Sequence, residues 1–208
     1  MYVRRAALLA SSLSLVLLTA CAGSGDLGTA AGGGDAPSSA PATGGAGPAS
    51  PSAGGDTSAP PFPADATPDT AEPSADSQGT VTDIRLGRHD GFDRIVLELG
   101  GTGTPGWDVR YVDAPSSQGS GDAVDVAGGA VLQVTLTGTA YPYATGVEEY
   151  AADAPLTDPA AQVVTEVVFD ATFEGQTVTF VGVQEEVPFR VYSLADPTRI
   201  VVEVADPA

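Results

Sequence analysis

The stretch Asp93-Arg94-Ile95-Val96-Leu97-Glu98-Leu99 decides the fold. Ile95, Leu97 and Leu99 alternate with Arg94, Val96 and Glu98, a period of two that places one set inward and the other outward on a half-buried strand. Thr198-Arg199-Ile200-Val201-Val202-Glu203-Val204 is a near copy. It sets Ile200, Val202 and Val204 inward and Arg199, Val201 and Glu203 outward. The two copies stand near the start and the end of one region and hint at two related halves. Working outward, residues 81–86, 94–99, 107–112, 131–136, 163–173, 177–183, 189–192 and 199–204 read as strands. Turn formers separate them: Asp90-Gly91, Gly100-Gly101, Thr104-Pro105-Gly106, Gly128-Gly129, Glu174-Gly175 and Asp196-Pro197. No helical periodicity interrupts the series. Short strands without crossover helices predict an all-β domain over 79–208, an antiparallel β-sandwich of about eight strands.

Ahead of this domain the composition changes. From Ala22 to Gln78 the chain is almost entirely Ala, Gly, Pro, Ser, Thr and Asp, with Leu27 and Phe62 as its large apolar side chains. Such a segment buries too little surface to offset its ordering entropy and is expected to be a disordered tether over 21–78. A flexible coil of about 57 residues has an r.m.s. reach of roughly 40 Å. At the extreme N-terminus, Arg4-Arg5 precedes a run of about 13 mostly apolar residues from Ala6 to Leu18, too short to span a bilayer that needs roughly 20. The run ends in Leu18-Thr19-Ala20-Cys21, which resembles a bacterial lipobox. Residues 1–20 are therefore expected to be a lipoprotein signal peptide, and Cys21 the lipidated first residue of the mature chain. Acylation would occupy the lone cysteine, otherwise a reactive thiol in an oxidising compartment, and two ester-linked chains anchor firmly where one is marginal. The expected location is the extracytoplasmic face of the cell membrane.

Charge narrows the partners. The chain has no lysine, and after removal of 1–20 it carries 6 Arg against 27 acids, a net of −21. A chain so acidic offers too few cations to release the counterions of a nucleic acid, so no nucleic-acid partner is expected. One cysteine excludes an intrachain disulfide, and a single histidine excludes a multi-histidine metal site. Neither a nucleophile elbow nor a phosphate loop is present, and no cofactor is called for. The adjacent pairs Glu148-Glu149 and Glu185-Glu186 point to opposite faces in strand geometry, so neither makes an acid/base couple by itself.

Val81-Thr82-Asp83-Ile84-Arg85, followed by Asp93 to Leu99, and then Phe189-Arg190-Val191-Tyr192-Ser193-Leu194-Ala195-Asp196-Pro197 leading into Thr198 to Val204, resemble the AMIN-like domain of actinobacterial lipoproteins. The resemblance implies a small β-sandwich. AMIN domains accompany cell-wall amidases and secretin-type outer-membrane proteins and are thought to localise them by binding peptidoglycan. It therefore implies a non-catalytic envelope-binding module, with a cell-wall polymer as ligand. The alternatives are a module that recruits another envelope protein and, more distantly, a hydrolase.

Six residues are candidates for ligand contact. Arg94 and Arg199 project outward, where a guanidinium fork suits the carboxylates of wall stem peptides; equally, each can pair with Glu203 or Glu98 across strands. Arg88 and His89, with Asp90 and Phe92, lie in the first hairpin, where a cation, an imidazole, an acid and an aromatic suit a sugar, or simply form a solvated turn. Trp107 and Tyr111 share a strand face and are expected in the core. Tyr141 and Tyr143 flank Pro142, which cannot sit in a central strand, and so are the better exposed aromatics for stacking on glycan rings.

Overall fold

The computed structural model describes residues 59–63 and 65–208. The expected signal peptide, Cys21 and most of the expected tether lie outside them. Among the described residues nine strands form: β1 (Asp69–Ala71), β2 (Gln78–His89), β3 (Phe92–Thr102), β4 (Gly106–Val112), β5 (Ala130–Thr137), β6 (Val164–Phe173), β7 (Gln176–Val183), β8 (Phe189–Leu194) and β9 (Thr198–Ala205). A four-residue helix, α1 (Pro142–Thr145), follows β5. The strands build two antiparallel sheets, a five-stranded one in the order β1-β4-β5-β7-β6 and a four-stranded one in the order β2-β3-β9-β8. The predicted all-β sandwich and each of its eight strands are present.

Two expectations are corrected. The tether was expected to run to Gln78, but Asp69–Ala71 pairs with Trp107 to Val109 and Gln78 opens β2. Three polar and small residues carry no period-two signal. Backbone pairing at a sheet edge and a bond from the Trp107 indole Nε1 to Asp69 Oδ1 (2.8 Å) hold them instead. The near copies, moreover, do not mark two halves. They are neighbouring strands of one sheet, with Arg94 opposite Glu203, Leu97 opposite Ile200 and Glu98 opposite Arg199.

Burial follows the alternation. Ile95, Leu97, Ile200, Val202 and Val204 are fully buried, and from the other sheet Val109, Leu132, Leu136, Val181 and Val183 meet them. Each such side chain contributes about 1.5–3 kcal/mol. Asp93 stitches the sheets together. Its Oδ2 accepts the backbone N–H groups of Gln162, Val163 and Val164 at 2.7–2.9 Å, fixing the approach to β6 against β3.

The long connections protect what the sheets leave open. The segment 113–129 crosses the outer face of β6 and β7, where Phe180 and Val178 are buried. Ser117 Oγ donates to Asp170, and the Ala127 N–H donates to Glu166. The crossing is so close that a Cβ on Gly182 would meet the Ala127 carbonyl at 2.0 Å. The segment 138–163 closes the edges of β2 and β6: the Tyr150 N–H reaches the Val81 carbonyl, and Leu156 exchanges two backbone bonds with Val167. Covered edges cannot template pairing with another chain.

Candidate functional site

The outward face of the four-stranded sheet concentrates the charged and aromatic side chains. Glu203 alternates outward on β9, as expected, yet it is fully buried. Arg94 donates from Nε and Nη2 to Glu203 Oε1, each at 2.7 Å. Arg190, its cross-strand neighbour on β8, holds the other oxygen, and the Tyr192 hydroxyl donates to Oε1 at 2.8 Å. A carboxylate out of water is tolerable only with its charge matched and its lone pairs filled, and this one has two guanidinium groups and a phenol. Val201, also outward, is buried beside it.

Aromatic rings roof the cluster. Phe92 packs on Arg94 at 5.5 Å and on Arg190 at 5.4 Å, and His89 stacks on Phe92 at 5.1 Å with planes 8° apart. Phe62 lies 4.1 Å from the Arg190 guanidinium carbon and 5.8 Å from Phe92. Arg190 Nη1 donates to the Pro60 carbonyl. The stretch Ala59-Pro60-Pro61-Phe62-Pro63 thus rests on this face.

The structure brings Arg94 and His89 onto one surface with Phe92 between them, and separates them from the other candidates. Arg88 points to the opposite face, where it forms a two-pronged pair with Asp206 (2.5 and 2.6 Å) and reaches Asp93 at 3.3 Å. That pairing raises the Arg88 pKa and lowers that of Asp206, in both cases chiefly through the hydrogen bonds between them. Arg199, opposite Glu98, turns back to the carbonyls of Pro197 and Ala195. Glu98 instead takes Arg85 at 2.7 Å. Arg110 holds Asp108, which raises the Arg110 pKa through their hydrogen bonds. All six arginines beyond residue 58 engage carboxylates or carbonyls of this chain.

Tyr141 and Tyr143 form a second surface. Pro142 starts α1, and Gly146, at φ 74°, ends it. The two rings stack at 5.3 Å with planes 15° apart. The Tyr141 hydroxyl accepts the Glu174 N–H at 3.2 Å, tying the pair to the β6–β7 turn, where Glu174 and Gly175 both take positive φ. Tyr143 stands 84% exposed on that support. Tyr111, as expected, turns inward: its hydroxyl donates to the Val187 carbonyl at 2.9 Å, and burial raises its pKa. Trp107 is half-buried against the core. The nearby surface groove, about 410 Å³, has Thr70, Glu72, Pro73, Asp108 and Thr137 in its walls.

Sequence reasoning passed over Arg190, Tyr192 and Phe62. The signals were present: Arg190 and Tyr192 alternate on the strand before the last, and Phe62 is the one aromatic in a proline-rich stretch. Compared with known proteins, residues 79–206 match the family model described as AMIN-like domain. No curated protein and no solved structure matches the chain.

Proposed function

The chain belongs to the AMIN-like domain family, and from that premise we propose that it is a non-catalytic binding module of the cell envelope that engages the glycan of peptidoglycan or an allied wall polymer through Tyr141 and Tyr143. Lipid on Cys21 would hold it at the extracytoplasmic face of the membrane, with the tether carrying the sandwich outward. One observation carries the choice of ligand surface: Tyr143 is 84% exposed on a ring that is itself pinned to the sheet. A rigid, water-facing phenol offers large contact area at little entropic cost, and its face matches the apolar C–H face of a sugar. Binding through one such platform is weak, and it becomes useful because the lipid keeps the module beside its ligand.

Charge supports a contact with sugar rather than with acidic groups. Beyond Gln78 the domain has 6 Arg against 20 acids, a net of −14, and the arginines are engaged internally. Attachment to an anionic wall should thus persist or strengthen as salt screens the repulsion. The test is co-sedimentation of the unlipidated protein with purified peptidoglycan at low and physiological salt. Retention at both salts, lost in Tyr143→Ala with unchanged thermal unfolding, supports the reading. Pelleting that Tyr143→Ala leaves intact removes the platform, and failure of the wild type to pellet removes the glycan.

A second reading, a module that recruits another envelope protein, is favoured by the seated proline-rich stretch on the four-stranded sheet.

A further inference from the structure

We infer that the outward face of the four-stranded sheet is a peptide-docking surface for a proline-flanked aromatic segment, and that this chain's own Pro60-Pro61-Phe62-Pro63 is its resident, displaceable occupant. The inference concerns a different face from the tyrosine platform and stands whether or not the module binds glycan.

Three features make the contact resemble recognition rather than incidental packing. The first is the receiving surface. Arg190 sets its guanidinium carbon 4.1 Å from the centre of the Phe62 ring and donates an N–H to the Pro60 carbonyl, so one side chain reads both an aromatic ring and a main-chain acceptor two residues away. Arg190 can do so because Glu203 fixes its Nε and Nη2 from behind, while Phe92 closes the side. A guanidinium already held by a buried carboxylate loses little freedom on stacking, and cation–π attraction is strongest where the cation is partly desolvated; the Arg190 side chain is 15% exposed.

The second is the occupant. Pro60, Pro61 and Pro63 restrict the backbone around Phe62 to extended, polyproline-like conformations before it binds. Proline-rich segments dock on aromatic-lined surfaces for this reason: the conformation is largely preset, so ordering it costs little. No backbone pairing between this stretch and β8 is needed, and the Pro60 carbonyl, which proline retains, is the group that Arg190 takes.

The third is position. Phe62 lies seven residues before β1, which is hydrogen-bonded into the other sheet. So short a leash gives the segment an effective concentration on the order of mM at the face, enough to fill a weak site without tight binding. A segment held in this way is exchangeable for a stronger peptide of the same chemistry.

The test uses the full chain and a synthetic peptide spanning residues 57–66. Titration is followed by the side-chain Nε–H resonance of Arg190 and the ring resonances of His89 and Phe92. In wild type the face is already filled, so added peptide should move these signals little. In Phe62→Ala the face is vacated, and the peptide should bind about tenfold more tightly than to wild type. The same peptide with Phe62 replaced by Ala should fail on both proteins. Phe62 lies outside the folded ladder, so its substitution leaves the sandwich intact, which unchanged thermal unfolding verifies. Equal peptide binding to wild type and Phe62→Ala, or binding to neither, overturns the inference. A concentration-dependent dimer in wild type that Phe62→Ala abolishes would also overturn the assignment in cis, because the segment would then be seated on a second copy.

Discussion

Strands β3 and β9 carry nearly the same residues and lie side by side, yet the two ends of their ladder differ sharply. Antiparallel pairing sets Arg94 opposite Glu203 at one end and Glu98 opposite Arg199 at the other. Symmetry of sequence would give two equivalent Arg–Glu pairs. At the first end the pair forms, is buried, and recruits Arg190, Tyr192 and Phe92. At the second it does not form: Glu98 pairs with Arg85, and Arg199 caps carbonyls of its own turn. The strand pattern places the charges, and the neighbouring strands decide what each one does. β8 brings a second arginine and a phenol to Glu203, while β2 brings a competing arginine to Glu98.

The largest contrast should come from removing the two glutamates. Glu203→Ala takes from Arg94 and Arg190, side chains 20% and 15% exposed, the buried carboxylate that they share. Breaking a buried pair in this way is expected to cost about 3–5 kcal/mol. Glu98→Ala, at a pair whose side chains are 53% and 29% exposed, should cost under about 1 kcal/mol. Urea unfolding of both variants measures the difference. Similar losses would mean that the Glu203 cluster contributes nothing beyond an ordinary surface pair.

The same contrast shows what was legible beforehand. Alternation marked strands such as β3 and β5, where burial of one face imposes a period of two; β7, buried on both faces, showed instead as a Val, Thr and Phe run between turn formers. The covalent order of the strands could not give their order in the sheets, so two adjacent strands read as two halves. β1 escaped because three residues at an edge are held by backbone bonds and by Trp107, not by their own hydrophobicity. Outward orientation was legible for Arg94 and Glu203, but burial was not. The groups that bury them come from β8 and from Phe92, and Phe62 crosses from a stretch whose composition reads as tether. Tyr141 and Tyr143 were legible as non-strand aromatics because Pro142 lacks a donor. Tyr111 was legible as inward from the strand face it shares with Trp107, whereas that Tyr143 faces water more than Tyr141 depends on tertiary packing.

A smaller effect lies at the Arg94 end, on the inward face, where Arg88 holds Asp206. Hydrogen bonding to Arg88 lowers the Asp206 pKa, so the folded state favours the carboxylate more than the unfolded chain does. Stability from this group is complete above the ordinary carboxylate pKa of about 3.9 and is lost as pH falls through the lower folded value. Asp206→Asn should therefore lower stability at neutral pH and flatten its decline below about pH 4, the difference from wild type closing as acid is added. Parallel pH–stability curves for the two proteins would show that the pairing is not linked to folding.

Arg199 should show the smallest effect of all. Its guanidinium serves only the carbonyls of Pro197 and Ala195, at 3.2 and 3.5 Å, and its sequence counterpart Arg94 carries the buried pair. A long cationic side chain on turn carbonyls that water would otherwise solvate contributes within about 0.5 kcal/mol. Arg199→Ala should accordingly unfold within that margin of wild type, and if the tyrosine platform is the glycan surface, it should pellet with peptidoglycan unchanged. A loss of pelleting in Arg199→Ala, with stability intact, would move the ligand from the platform at α1 to the four-stranded sheet. The two ends of the ladder would then divide the labour differently, with the Arg94 end holding the sandwich together and the Arg199 end meeting the wall.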